Sequence, residues 1–212
     1  YDESDRRIFE EKYNIGKILS INIKDKSLKH LSIGHRNTQG LVYVNNKNLI
    51  ISTEHGPRGG DEINNIKFKG NYGWPIASYG EPYFHEKFYN KNISKEEFFY
   101  KKNHIDYGFI EPIYAFVPSI GINQIIRIPN NFSKFWNESF FITSLNGRSV
   151  YRLVLNKSFN KMLSMEKIFI GKRIRDIIYN EQNNIFILAL EGKKGSKSSD
   201  NQPNLGILKT IN

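Results

Sequence analysis

The chain has 212 residues and no cysteine, which excludes disulfide bonds, thiolate metal sites and cysteine nucleophiles. No apolar run approaches the roughly 18 residues that a membrane-spanning helix needs, so we expect no membrane span. The polar start over residues 1–5 lacks Met and shows no signal peptide. We therefore expect a fragment or a processed form of a longer protein, folded as a single partial domain over residues 1–212.

Acidic residues are too few to balance the basic ones, and the formal net charge is +10. A strongly basic chain raises the question of nucleic-acid binding. The lysines are scattered, however, and the densest run, over residues 193–197, lies in a Ser/Gly/Asn-rich loop without a nucleic-acid motif. We predict no nucleic-acid partner.

Long amphipathic helices are also absent, and short β-rich runs dominate. Turn residues separate them, and two pairs of runs predict β-hairpins, 41–44 with 49–52 and 176–179 with 185–189. One short helix is predicted over 94–102, with Ser94 as N-cap and Glu97 completing a capping box. The predicted strands cover 18–23, 41–44, 49–52, 125–128, 140–143, 150–154 and 185–189.

A weak repeat begins at Gly16, Gly147 and Gly206, each glycine being followed by an alternating strand. Four-stranded units repeating every ~40–50 residues are typical of a β-propeller. A β-sandwich also produces short strands with regular turns, so both architectures stay open at this point. The aromatic-rich stretch 76–115 is too long for a simple connection and is interpreted as an insertion.

The segment 34–41 places Arg36 and Asn37 between two glycines just before a strand. A guanidinium and an amide in such a loop are suited to an anionic or carbonyl-rich ligand. The alternative is a turn whose polar side chains bond the local backbone.

The segment 53–64 contains a Gly56-Pro57 corner, a Gly-Gly turn and the acids Asp61 and Glu62. Hard oxygen ligands of this kind suit calcium, and backbone carbonyls at the corner add to them. The spacing matches no EF-hand, so an anion-binding loop is the alternative.

Arg173 and Arg175 are two residues apart in a predicted strand, so their side chains point to the same side. Two guanidiniums on one face suit an anion with several carboxylates or phosphates. A basic strand edge balanced by Asp176 is an equally good interpretation.

The pieces GHRNTQGL, EHGPRGGDEIN and NYGWP follow one another between residues 34 and 75, and 117–120 and 173–176 match further downstream. In this order they resemble the glucose/sorbosone dehydrogenase family of pyrroloquinoline-quinone (PQQ) and calcium-dependent sugar dehydrogenases. The resemblance implies an all-β fold, a six-bladed β-propeller, of which this chain is an incomplete part of about four blades. It also implies hydride transfer from the anomeric carbon of an aldose to the quinone, a periplasmic or secreted location, and a homodimer as a possible assembly.

The resemblance also assigns residues. It implies calcium ligation by the carbonyls of Gly56 and Pro57, and a further calcium site at Glu62 and Tyr72. The residues that it implies for PQQ binding are Arg36, Asn37, Arg173, Ile174 and Arg175.

Two departures from the family pattern concern activity. The catalytic histidine of the family lies upstream of anything in this chain, and His35 and His55 belong to other motifs. A cofactor-contacting lysine is expected at 144–147, where this sequence has Asn146. We therefore expect the fragment alone to be inactive. The alternative function is a non-catalytic, calcium-stabilised propeller that binds carbohydrate or a protein partner.

Overall fold

The computed structural model describes residues 6–83, 100–192 and 203–210, and within them the regular structure is almost entirely β-strand. The strands are β1 (Lys17–Ile21), β2 (Leu28–Ile33), β3 (Thr38–Val44), β4 (Leu49–Glu54), β5 (Asp61–Ile66), β6 (Gly70–Asn71), β7 (Tyr114–Phe116), β8 (Ile122–Arg127), β9 (Ser139–Ser144), β10 (Ser149–Leu155), β11 (Met162–Phe169), β12 (Arg173–Asn180), β13 (Ile185–Glu191) and β14 (Asn204–Leu208).

These strands form four sheets, whose strand orders are β1-β2-β6, β3-β4-β5-β7, β8-β9-β10-β11 and β12-β13-β14. All pairings between them are antiparallel except β2 with β6, which is parallel. Both predicted hairpins are confirmed, as β3–β4 and β12–β13. The sequence patterns missed β2, β5, β6, β7 and β11, of which β5 is buried along its whole length although its sequence is DEINNI.

The third sheet is buried on both faces at its inner strand β9. Because side chains alternate along a strand, Phe140 and Ile142 point into a core shared with Ile51 and Ile63 of the second sheet. Phe141 points the opposite way, into a core shared with Phe186 of the fourth sheet. Sheets that bury both faces stack on a neighbour at each side.

The same stacking continues toward the N-terminus, where Ile18 of the first sheet packs against Ile66 of the second. Four sheets therefore pack face to face in chain order. A β-sandwich has two sheets, so that alternative is wrong. The arrangement is instead β-propeller-like, as the repeat and the resemblance predict.

The helical structure within the described residues consists of short 3-10 turns, at Arg6–Phe9, Asn45–Lys47 and His104–Tyr107. No helix in this part of the chain is long and apolar enough to cross a membrane. The predicted helix falls mainly on residues outside the described ranges, including Ser94 and Glu97, and so does the lysine-rich run 193–197. The described ends of the 76–115 segment meet at a bridge between Ala77 and Lys101, and its last residues belong to β7.

Candidate functional site

The loop between β2 and β3 carries the GHRNTQ motif and folds tightly against the NYGWP motif. Gly34 has a φ of 77°, and a Cβ there would lie 2.3 Å from the side-chain oxygen of Asn71. Only glycine fits both the left-handed backbone and the close approach. This contact places Arg36 above the indole ring of Trp74, with 5.3 Å between the guanidinium carbon and the ring centre.

A buried carboxylate, Glu54 at the end of β4, anchors this loop. It accepts a hydrogen bond from the backbone N–H of Arg36, and its other oxygen lies 2.9 Å from Nδ1 of His35. On the far side of the imidazole, Nε2 lies 2.8 Å from the hydroxyl oxygen of Ser32. All three residues of this Ser32–His35–Glu54 chain are at most 4% exposed, and Tyr72 stacks on the imidazole at 4.6 Å.

The guanidinium of Arg36 reaches across to the Gly56-Pro57 corner. Its Nη1 donates to the carbonyl of Gly56 at 2.8 Å and to that of His55 at 3.2 Å. The carbonyl of Pro57 accepts from the hydroxyl of Tyr83 at 2.9 Å. The first two motifs are therefore in direct contact, and both carbonyls proposed from the sequence as calcium ligands face polar donors.

Asp61 at the start of β5 fixes the corner from below, and it is fully buried. It accepts from the N–H of Gly56 at 3.1 Å, from the N–H of Ile122 at 2.9 Å and from the hydroxyl of Ser119. Burial alone would raise the pKa of Asp61, but hydrogen bonds from His55, Ser119 and Ile122 outweigh it and leave the pKa below its usual value. The corner is thus tied to the strand that begins the third sheet.

An open cleft of about 360 Å³ lies on this framework. Sequence reasoning assigned four of its lining residues to cofactor or calcium, namely Arg36, Asn37, Gly56 and Pro57, and the structure brings them together. It also places Asn146 among them. The remaining lining residues are His55, Tyr83, Ser119 and Gly121.

A second, smaller cavity of about 10 Å³ is lined by the corner and by the carboxylates Glu54 and Glu62. It is large enough for about one water molecule or ion. Arg36, Tyr72 and Trp74 also line it. The indole nitrogen of Trp74 and Nε of Arg36 are buried without a hydrogen-bond partner, so the wall of this cavity contains unsatisfied polar atoms.

Glu62 is a buried carboxyl whose ionised form is disfavoured in this site. Burial raises its pKa well above the usual value, and the charge of Glu54 raises it further. Its nearest described partners are the amide of Asn64, at 3.2 Å, and Nε2 of His104, at 3.6 Å. Burial lowers the pKa of His104, so this imidazole is a poor source of compensating positive charge. A cation beside Glu62 would stabilise its ionised form and lower its pKa.

The described residues contain no cluster of three or more histidine, aspartate or glutamate side chains that could hold a metal. A cation here would need backbone oxygens as well. Tyr72 fits that role only through its carbonyl, because its phenol donates to the carbonyl of Asn65 at 2.5 Å and accepts from the N–H of Lys67. Burial raises the pKa of that phenol to about 12, so it stays protonated.

The paired arginines of β12 do not line the cleft. Both side chains point to the same side, as predicted, and both bind Glu191, at 2.6 Å from Arg173 and 2.8 Å from Arg175. The counter-ion is therefore Glu191, whereas Asp176 accepts from the N–H of Ile177. The pKa of Glu191 is lowered by these hydrogen bonds.

The start of β12 nevertheless lies beside the turn that carries Asn146. The backbone N–H groups of Ile170 and Gly171 both donate to the carbonyl of Arg148 at 3.0 Å. Ile174 is fully buried in the core with Phe186.

Sequence reasoning assigned no role to Glu54, Trp74 or Ser119. Each lies inside one of the motifs described above, and this position is the one feature of the sequence that could have indicated a role for it. Their roles depend on contacts between residues 16 to 58 positions apart, which spacing along the chain does not reveal.

Comparison with known proteins shows the family. The family model for glucose/sorbosone dehydrogenase matches residues 17–197. The chain belongs to the glucose/sorbosone dehydrogenase family. It is 31% identical over 163 residues to an aldose sugar dehydrogenase of Escherichia coli, covering 76% of this chain and 40% of that protein. Over 77 residues it is 43% identical to quinoprotein glucose dehydrogenase B of Acinetobacter calcoaceticus, covering 31% of this chain and 16% of that protein.

Solved structures of sugar dehydrogenases share the fold. The apo form of the soluble aldose sugar dehydrogenase of Escherichia coli matches with a TM-score of 0.73 at 22% identity, covering 98% of this chain and 59% of that one. The PQQ-bound aldose sugar dehydrogenase of Streptomyces coelicolor matches with a TM-score of 0.63 at 21% identity, covering 94% and 54%. The chain spans 40% or less of the curated relatives it matches.

Proposed function

We propose that the protein carrying this chain oxidises an aldose sugar with PQQ as cofactor. The observation that carries the proposal is the cleft that joins Arg36, Asn37, Gly56 and Pro57. Membership of the glucose/sorbosone dehydrogenase family and the PQQ-bound relative from Streptomyces coelicolor support it.

The residues present fit this cofactor. PQQ is a planar tricarboxylate with an ortho-quinone, and it needs cationic and amide donors around a cleft of a few hundred Å³. Arg36 and Asn37 supply such donors on one wall, and the amide of Asn146 supplies another. Arg173 and Arg175, whose two charges share the single carboxylate of Glu191, keep net positive charge at the start of β12.

Bound PQQ supplies a quinone that accepts a hydride from the sugar. The residues of this chain hold and orient the cofactor and place positive charge beside it, which favours its reduced form. We propose that the base that takes the proton from the anomeric hydroxyl lies outside this chain. Neither histidine of the site motifs is assigned as this base. Both ring nitrogens of His35 are bonded, to Ser32 and to Glu54, and His55 lines the cleft with its Nδ1 beside Asp61.

The direct test is PQQ-dependent dye reduction with a panel of aldoses, in the full-length protein and in the 212-residue chain. We expect turnover only in the full-length protein, with a quinone absorbance shift on binding in both. Absence of the shift in the full-length protein would contradict PQQ binding, and turnover in the chain alone would contradict the placement of the base.

Calcium is the second part of the proposal. We propose one ion at the carbonyls of Gly56 and Pro57 and another beside Glu62 and the carbonyl of Tyr72. The small cavity beside Glu62 and the raised pKa of the Glu62 carboxyl support the second ion. The first ion would lie beside the guanidinium of Arg36, which donates to the carbonyl of Gly56, and because like charges repel, we expect Arg36 to move when the ion binds.

Glu62→Gln is expected to have opposite effects with and without calcium. In chelator, the variant removes a buried charge next to Glu54, so its free energy of unfolding should equal or exceed the wild-type value near neutral pH. In millimolar calcium, the wild type should gain about 2 kcal/mol or more and the variant little. Thermal melts with and without EDTA measure both. Equal calcium-induced gains in the two proteins would exclude Glu62 as a ligand.

The sign for pH follows from the same pKa. A carboxyl whose folded-state pKa is raised contributes least stability where it ionises, so the metal-free protein should lose stability as pH rises from the unfolded-state pKa through the folded-state pKa. Calcium should remove this loss, which the same melts detect when they are repeated across that range.

Asn146→Lys should tighten PQQ binding. It places in the cleft the positive charge that the family pattern has at this turn, and one such charge-assisted contact is worth about tenfold in affinity. Asn146→Gln keeps the amide and adds no charge, so it is the matched control and should bind as the wild type does. A lysine variant with unchanged affinity would show that the turn does not face the carboxylates of PQQ.

The alternative is a non-catalytic, calcium-stabilised propeller that binds carbohydrate or a protein partner. The neutral Asn146 in the cleft favours it. We retain a periplasmic or secreted location, an incomplete propeller and a homodimer as proposals for the same protein.

A further inference from the structure

The buried Ser32–His35–Glu54 chain resembles a hydrolase triad in its distances but not in its exposure. Ser32 is 1% exposed, and neither Ser32 nor His35 lines the open cleft or the small cavity. A nucleophile must reach a substrate, so acyl transfer is excluded for this chain of residues. Through Glu54, these three residues instead contact the loop between β2 and β3 that carries Arg36 and Asn37.

We propose that Glu54 is the positioning residue that sets Arg36 and Asn37 against the Gly56-Pro57 corner, and that His35 and Ser32 hold Glu54 in its rotamer. This inference rests on the proposed PQQ site. It gives Glu54 a positioning role, whereas Arg36 and Asn37 contact the cofactor. Glu54 is suited to it because it ends β4, directly before His55 and Gly56, and also accepts the backbone N–H of Arg36. One carboxylate therefore joins both walls of the cleft.

The hydrogen-bond directions follow from the groups involved. A carboxylate only accepts, so Nδ1 of His35 carries the proton that it shares with Glu54. In the neutral imidazole Nε2 then accepts from the hydroxyl of Ser32. The stacked ring of Tyr72 and the burial of all three residues shield these hydrogen bonds from bulk water. Geometry held in this way positions a binding group to a fraction of an ångström.

Glu54→Gln tests the proposal without changing shape. Its amide oxygen can still accept from Arg36, but its NH₂ must then donate to Nδ1 of His35, which moves the imidazole proton to Nε2. We expect ¹⁵N NMR of the cofactor-free protein to show this tautomer change. We also expect the dissociation constant of PQQ, measured by fluorescence titration, to rise about tenfold. Ser32→Ala, at the far end, should raise it less.

Amide hydrogen exchange separates this inference from the proposed function, because it needs no PQQ. In Glu54→Ala the amide of Arg36 loses its acceptor and should exchange at least tenfold faster, while amides in β9 and β10 keep their rates. Ile142→Val is the control for general destabilisation, because it shortens a core side chain of β9 that has no contact with Ser32, His35 or Glu54. In this variant the exchange rate of the Arg36 amide should rise no more than the rate of global unfolding does.

The outcomes discriminate. Wild-type protein that binds no PQQ contradicts the proposed function, and the exchange of the Arg36 amide then decides the positioning role alone. A tautomer change in Glu54→Gln with unchanged PQQ affinity overturns the positioning role. Unchanged exchange at Arg36 in Glu54→Ala overturns it as well.

Discussion

Replacing Asp61 with Asn is expected to lower the free energy of unfolding by about 3 kcal/mol, the typical cost of breaking a buried, hydrogen-bonded charge. Asp61 is fully buried and accepts from the N–H groups of Gly56 and Ile122 and from the hydroxyl of Ser119. Asparagine has one acceptor oxygen, and its NH₂ group faces at least one of the N–H or O–H donors that the second carboxylate oxygen of Asp61 accepts from. At least one of them is left unsatisfied in a site that excludes water.

Urea titrations of the wild type and the variant measure this cost. Asp25→Asn is the matched control, because Asp25 is exposed and makes only local hydrogen bonds in a turn. Ser119→Ala removes one donor and should cost about 1 kcal/mol. In the double variant the two effects should not add, because the partners share one interaction. Additive losses would contradict the direct contact.

The pH dependence gives a second check on Asp61. Its folded-state pKa is lower than usual, so its ionised form stabilises the wild type above the unfolded-state pKa. That contribution is lost as the pH falls through the folded-state value. The difference between wild type and Asp61→Asn should therefore shrink in acid. A difference that stays constant down to pH 2 would mean that the lost stability arises from packing rather than from charge.

The contacts of Asp61 also mark the limit of sequence reasoning. Periodicity found most strands, because alternating apolar residues such as those of β10 report a buried face directly. It missed β5, because a strand with the sequence DEINNI looks solvent-exposed and is buried only by the site that forms around it. Polar residues in the core are typical of functional sites, where local pattern and global fold disagree.

The candidate site itself was predictable only as motifs. Spacing placed Arg36 beside Asn37 and indicated that Arg173 and Arg175 share a side, and the structure agrees. It could not show that the partner of both arginines is Glu191, 16 or more residues away. Nor could it show that Arg36 binds the carbonyl of Gly56, because that contact depends on how β3 and β4 pair.

Arg36→Gln is expected to reduce PQQ-dependent sugar oxidation about 100-fold or more, the typical cost of losing one charged donor at a reacting group. The variant keeps a planar, polar end on a shorter side chain but loses the positive charge over Trp74 and the bond from Nη1 to the carbonyl of Gly56. Arg36→Lys should recover part of the activity, since an ammonium restores the charge without the planar fork.

Arg127→Gln is the control, since it makes the same change of charge at the end of β8, where the described contacts of Arg127 are long, at 3.4 Å to Asn46 and 4.0 Å to Glu138. Steady-state kinetics at saturating PQQ separates two causes. If Arg36 only binds the cofactor, excess PQQ restores kcat. If it also stabilises the charge that develops on reduction, kcat stays low. We expect the second result, because Arg36 lines the cleft beside the corner carbonyls, and full rescue of kcat by excess PQQ would contradict it.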